Sequence, residues 1–127
     1  MEIISTKNAP AAIGPYSQGV KAGDLLFISG QIPIDPKNGE ICGTTIEEQA
    51  LQVMKNIEGV LKAADMTFHN VVKTTCFLKD MNDFAGFNKV YGDYFTSRPA
   101  RSCVAVKEIP KGVLCEVELI ACCSTGN

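Results

Sequence analysis

The stretch "VLCEVELIACC", Val113–Cys123, decides the fold. In an extended strand, successive side chains point to opposite faces of a sheet. Val113, Cys115, Val117, Leu119 and Ala121 therefore share one face, an unbroken apolar surface that has to be covered. Leu114, Glu116, Glu118, Ile120 and Cys122 share the other, where two carboxylates stand among apolar neighbours. A strand patterned this way belongs to a sheet packed on one side, with its second side only half polar.

Two segments can supply the cover. Thr45-Ile46-Glu47-Glu48 has capping-box spacing, a threonine N-cap with glutamate three residues on. Behind it Ile46, Ala50, Val53, Met54, Ile57, Val60, Leu61 and Ala64 recur at helical spacing, a one-faced amphipathic helix of about five turns. Further on, Asp80 or Asn82 is available to cap a second helix, and Phe84, Phe87, Tyr91, Tyr94 and Phe95 fall on one stripe of it, read as core packing. The remaining strands are expected at Tyr16–Val20 and Leu25–Ile32, a hairpin turned by "KAGD", then at Val71–Leu78 and Ser102–Lys107. "PIDPKNGEICG" between them reads as loop or short irregular hairpin. The order is β-β-α-β-α-β-β. Two helices cannot cover both faces of a mixed sheet of about six strands, so the expected architecture is α+β with both helices on one face. The half-apolar open face then calls for a partner, and an oligomer is expected.

The totals agree with a single domain spanning residues 1–127. Hydrophobic residues make up 46% and charged residues 20%, an ordinary globular composition. A net charge of −2 with no basic stripe gives nucleic-acid binding no electrostatic support. No apolar run approaches the roughly 18 residues of a membrane span. "MEIISTKNAPAA" lacks a basic region followed by a long apolar core, so no signal peptide is expected, and the expected compartment is the cytoplasm. The six cysteines include no C-x-x-C pair, and His69 is the sole histidine, so no zinc ligand set is expected. Several cysteines sit inside strand-like runs and read as reduced thiols packed as small hydrophobes; a disulfide scaffold is the lesser alternative.

Several residues could carry chemistry. Arg98 and Arg101, in "RPARSC", flank Pro99, which holds the chain out of helix at Arg98. A guanidinium fork suits a carboxylate or phosphate; the plainer expectation for either arginine is a solvated loop. Glu116 and Glu118 share a strand face, where a carboxylate could activate water or simply be solvated. Cys103 beside Arg101 invites a nucleophile reading, but the only histidine available as a base is His69, on a helix-to-strand connection. Cys103 is therefore read as a pocket wall, and His69 as a surface residue. In "IGPYSQG" a Gly-Pro turn presents Tyr16, and in "ISGQIP" Ser29-Gly30 marks either a bulge or close approach of another group.

At these residues the chain resembles the RidA/YjgF family of imine deaminases. The similarity runs from "NAPAAIGPYSQGV" through "ISGQIP", "VVKTTCFLKDMNDF" and "RPARSC" to "CEVELIA", nearly the whole chain in order. The resemblance implies a chorismate-mutase-like α+β fold and a homotrimer with a central barrel, helices outside and ligand clefts between subunits. It implies hydrolysis of reactive enamine/imine intermediates such as 2-iminobutanoate and 2-iminopropanoate to 2-keto acids and ammonia, with no cofactor and no metal. The benefit implied is protection of pyridoxal-phosphate enzymes from 2-aminoacrylate. Residue by residue, the family's arginine falls on Arg101 and its strand glutamate on Glu116, both catalytic. Tyr16, Ser29, Gly30, Asn88 and Cys103 fall on ligand-contacting positions, Cys103 largely through its backbone. Arg98 is read as rim or solvent. The rival expectations are a non-catalytic ligand- or protein-binding trimer, regulatory or chaperone-like, an RNase-like translation inhibitor, or a related deaminase acting on a muconate-type enamine.

Overall fold

The capping box forms as its spacing dictates. Thr45 Oγ1 accepts from the Glu48 N–H at 3.2 Å, and Glu48 Oε1 accepts from the Thr45 N–H at 3.1 Å. The helix it starts, α1 (Ile46–Ala63), buries Ala50, Val53, Met54, Ile57, Val60 and Leu61. The structure, a computed structural model, describes residues 1–123. Around α1 stand β1 (Glu2–Ile4), β2 (Gly19–Ala22), β3 (Leu25–Gln31), β4 (Val71–Leu78), α2 (Phe84–Tyr94), β5 (Ala100–Ala105) and β6 (Cys115–Cys122).

The six strands form one sheet in the order β1-β2-β3-β6-β4-β5. Every pairing is antiparallel except β4 with β5, which run parallel because α2 carries the chain across between them. β6 lies at the centre. Its Cys115, Val117, Leu119 and Ala121 are buried under the helices with Leu26 and Ile28 of β3 and Cys76 and Leu78 of β4, as the alternation requires. The opposite face carries Phe27, Thr75, Phe77, Glu116, Glu118, Ile120 and Val104, joined by register: Phe27 opposite Ile120, Phe77 opposite Glu116 and Val104. Among the described residues no helix covers it, and Phe27 and Val104 are 42% and 46% exposed. The α+β architecture with both helices on one face is the expected one.

β3 ends at Gln31 and β6 spans Cys115–Cys122, each slightly shorter than the sequence reading, and four further differences each have a local reason. β2 starts at Gly19, so Tyr16 and Ser17 are loop. The Tyr16 N–H closes a three-residue turn onto Gly14 O at 2.9 Å, and the buried Gln18 side chain binds back to the N-terminal segment. β1 was not expected; three residues are too few to show a period of two. β5 spans Ala100–Ala105 in place of Ser102–Lys107, because pairing with β4 begins at Lys73 opposite Ala100. Arg101 thus lies inside the strand. Asp80 does cap, accepting from the Asn82 N–H at 2.8 Å, but it caps a short 3-10 turn (Met81–Asp83) that leads into α2.

Candidate active site

The edge strand β5 positions the arginine. Arg101 lies opposite Thr74 of β4, on the helix side of the sheet. Its Nη1 donates to Asn88 Oδ1 of α2 at 2.6 Å. Its guanidinium carbon lies 4.7 Å from the Tyr91 ring centre and 5.5 Å from that of Phe84, distances at which an aromatic face attracts a cation. Tyr91 is itself fixed by a 2.7 Å hydrogen bond between its hydroxyl and Thr74 Oγ1. The aromatic stripe of α2 therefore has two jobs. Phe87 and Phe95 fill the core, while Tyr91 and Phe84 seat the arginine, a role that the sequence reading missed. The available signal was Asn88 and Tyr91 three apart, hence on one helix face.

Beside this group opens a cleft of about 510 Å³, lined by Asn88, Tyr91, Gly92, Phe95, Thr96, Arg98, Pro99 and Arg101. It contains no acidic side chain, and among the described residues no carboxylate lies within ion-pair distance of Arg101. One hydrogen bond and two ring faces fix the guanidinium without neutralising it. That arrangement suits an incoming anion.

Cys103 follows on the same face, directly opposite Cys76. Burial pushes its thiol pKa up, and the nearby Arg101 charge only partly offsets this. Cys76 is pushed up to about 12, chiefly by burial. Neither thiol is set up as a nucleophile. His69, exposed on the Phe68–Asn70 turn, precedes β4, and Cys76 lies a further five residues along that strand from its first residue, about 16 Å of extended chain. Cys42, Cys76, Cys103, Cys115 and Cys123 are free thiols.

The second group is on the other side of the sheet. Glu116 of β6 is partly buried on the open face, and its pKa is raised, first by desolvation and then by the neighbouring Glu118. The β3–β6 register shifts between Ile28 and Gln31, so Ser29-Gly30 is a bulge. A methyl on Gly30 would overlap the Glu116 carboxylate, so the glycine also allows close approach. Ser29 Oγ donates to Ser17 O at 2.6 Å, and the Ser29 N–H donates to Gln18 O at 3.0 Å. Gln18 in turn gathers Thr6 O, Ala9 O and Pro10 O through its Nε2. This buried glutamine, which the sequence reading did not single out, ties down the loop that presents Tyr16, 52% exposed.

The expected site residues thus fall into two groups. Arg101, Asn88 and Cys103 are gathered on the helix side of β5. Ser29, Gly30 and Glu116 are gathered on the open face, with Tyr16 on the loop anchored to them. A sheet separates the two groups within one chain.

A sequence family described as endoribonuclease L-PSP matches residues 6–123, including every residue of both groups. The chain belongs to that family. It is the RidA/YjgF family that the motifs resemble. Among its members, a RutC family protein of Pyrococcus horikoshii is 56% identical over 121 residues, 94% of this chain and 96% of the relative. The 2-iminobutanoate/2-iminopropanoate deaminase of Escherichia coli is 48% identical over 122 residues, 93% of this chain and 94% of the relative. The crystal structure of E. coli TdcF with bound serine superposes with a TM-score of 0.92 at 43% identity, covering 96% of this chain and 98% of that one. RidA/YjgF members thus share the fold at high identity, and one of them holds an amino acid.

Proposed function

We propose that the protein hydrolyses 2-imino acids to 2-keto acids and ammonia in a cleft built where copies of the chain meet. The observation that carries this is the unneutralised Arg101, held by Asn88 and Tyr91 at the edge of the sheet in a cleft without acids. The identity to a named imine deaminase adds weight.

The chemistry follows from the two groups. A 2-imino acid has a carboxylate next to an electrophilic C=N carbon. Arg101 grips the carboxylate through charge-assisted hydrogen bonds and orients the carbon. Glu116, whose raised pKa makes it a stronger base than an ordinary surface carboxylate, takes a proton from water as it adds to that carbon. Glu116 gives that proton to the nitrogen, and the carbinolamine then breaks its C–N bond, its hydroxyl proton leaving with the nitrogen as ammonia while the keto group forms. Because Arg101 and Glu116 stand on opposite faces of one sheet, the glutamate that serves a given arginine comes from a neighbouring copy. The uncovered apolar face, with Phe27 and Val104 exposed, is the surface that copies would share in a homotrimer. Tyr16 and Ser29 accompany Glu116 as ligand contacts.

The test couples purified protein to a threonine dehydratase and follows ketobutyrate formation while semicarbazide competes for the imine. Acceleration by the wild type is expected, with loss of roughly 100-fold or more in Arg101→Ala. Cys103→Ala should keep most of the rate. No acceleration by the wild type sinks the proposal; 2-keto acid binding without turnover would leave a ligand-binding module in its place.

A further inference from the structure

We propose that Thr74, which is not among the residues lining the cleft, is a positioning residue for the reaction: its hydroxyl fixes the Tyr91 ring, and the ring holds Arg101 ready for the substrate carboxylate. This rests on the imine-hydrolysis reading and adds to it a residue that acts through another. The buried positions of β4 are Val71, Thr74, Cys76 and Leu78, and Thr74 is fully buried among them. Valine has nearly the same shape and no hydroxyl to satisfy, so core packing alone favours it there. The Thr74 hydroxyl is used instead. It shares a 2.7 Å hydrogen bond with the Tyr91 hydroxyl, and the Cys76 thiol, a weak donor, lies 3.9 Å away.

Register puts Thr74 directly opposite Arg101 on β5, so the threonine, the ring and the guanidinium meet at one rung of the sheet. Tyr91 and Asn88 lie three residues apart on α2, on one face of that helix. Two hydrogen bonds, Arg101 to Asn88 and Tyr91 to Thr74, therefore dock α2 on the β4–β5 edge. Stacking on Phe95, at 4.3 Å between ring centres, limits the tilt of the Tyr91 ring, and the hydrogen bond at its tip fixes its sideways position. Of the guanidinium N–H groups of Arg101, one, at Nη1, has a hydrogen-bond partner among the described residues. The direction of the others is set by the aromatic seat. A ring released from Thr74 leaves the guanidinium free to swing, and it then loses rotamer freedom when it grips a carboxylate. The carboxylate keeps its charge from substrate to transition state, so this cost weighs on both alike and appears as a raised KM with kcat little changed.

The experiment compares wild type with Thr74→Val, Tyr91→Phe, the double variant carrying both, and Thr74→Ser. Each is measured in the threonine dehydratase assay, by calorimetric binding of 2-oxobutyrate and by thermal unfolding. Either single change leaves a buried hydroxyl without its partner and destabilises the fold for that reason alone. The double variant removes both hydroxyls and leaves neither unsatisfied, so its Tm should return close to that of the wild type. Its binding should not return. KM for 2-iminobutanoate and Kd for 2-oxobutyrate are each expected to rise by roughly 3- to 10-fold, the cost of ordering one long side chain, with kcat held within about 2-fold. Thr74→Ser keeps the hydroxyl and should restore most of the affinity lost in Thr74→Val. A stable double variant with wild-type KM and Kd assigns the pair to stability alone and overturns the inference, leaving imine hydrolysis standing; a Thr74→Ser protein as weak as Thr74→Val overturns it too. Failure of the wild type to accelerate the imine overturns the underlying reading instead. Binding of 2-oxobutyrate then judges the inference alone: a weaker double variant supports it, and equal binding overturns it.

Discussion

Glu116 and Glu118 show how two like residues on one strand take different roles. Both point to the open face, but Glu116 is partly buried beside the Gly30 bulge while Glu118 is exposed. Burial raises the Glu116 pKa and the charge of Glu118 adds to it. A general base works when ionised, so activity should fall as pH drops through a value above the usual carboxylate range. Glu118→Gln removes one of the two causes and is expected to move this acid limb to lower pH with little loss of maximal rate. A pH profile of kcat/KM checks it; a limb that stays put would assign the limb to another group. The linkage has the opposite sign for stability. A carboxyl with its folded pKa above its unfolded one destabilises the fold as pH rises through that window, and has no effect below it. In the proposed reaction, a more basic carboxylate is what offsets that destabilisation. Of the individual residues, Arg101 stands out in the sequence as a candidate because its neighbours form a long motif. Tyr91 and Gln18 do not, since a tyrosine in an aromatic stripe and a glutamine before a strand look the same whether or not they hold a functional group.

The elements were legible wherever a full period fits. α1 shows its length, its cap and its buried face in sequence, and β4 and β6 show their faces by alternation. β1, β5 and the start of β2 were missed or shifted because pairing with a neighbour sets their limits, and pairing is not a property of the segment alone. α1 also carries polar residues whose use is visible only in the fold. Asn56, fully buried, donates to Ile32 O and Ile34 O at 3.0 Å each and accepts from Gln52 Nε2 at 2.9 Å, so it pins the loop after β3. The α1 start offers a clean test. Thr45→Ala removes the acceptor for the Glu48 N–H at an exposed cap, and should cost about 1 kcal/mol. Differential scanning calorimetry is expected to read a fall in Tm of roughly 3–6 °C, with the imine assay unaffected at 25 °C. A change below about 1 °C would mean that helix packing, and not the cap, sets the α1 boundary.

At the scale of the molecule, the sheet has one face under two helices and one face bare. The bare face brings Phe27, Phe77, Val104 and Ile120 together by register around Glu116 and Glu118. It is expected to be closed by other copies, giving a solution mass three times the 13.7 kDa of the chain. Phe27→Asp places a charge in the middle of that face while leaving the helix-side core untouched. Light scattering should show dissociation, circular dichroism should show the fold retained, and the imine assay should show activity lost. A trimeric and active Phe27→Asp protein would place the shared surface elsewhere.

The sequence by itself determined the fold class, the layer that holds the core and the family. These depend on periodicity and on motifs, which are local or can be read in order along the chain. The alternation of Val113–Cys123 already separated a covered face from an open one. Only the tertiary structure decided how the candidate residues are divided. A parallel β4–β5 pairing turns Arg101 toward α2, and an antiparallel β4–β6 pairing turns Glu116 away from it. The side of a sheet on which a residue emerges depends on its register with neighbours distant in sequence, and a single-residue shift in that register would reverse it. Arg98, at the rim of the Arg101 cleft, likewise takes a left-handed backbone that no periodicity announces.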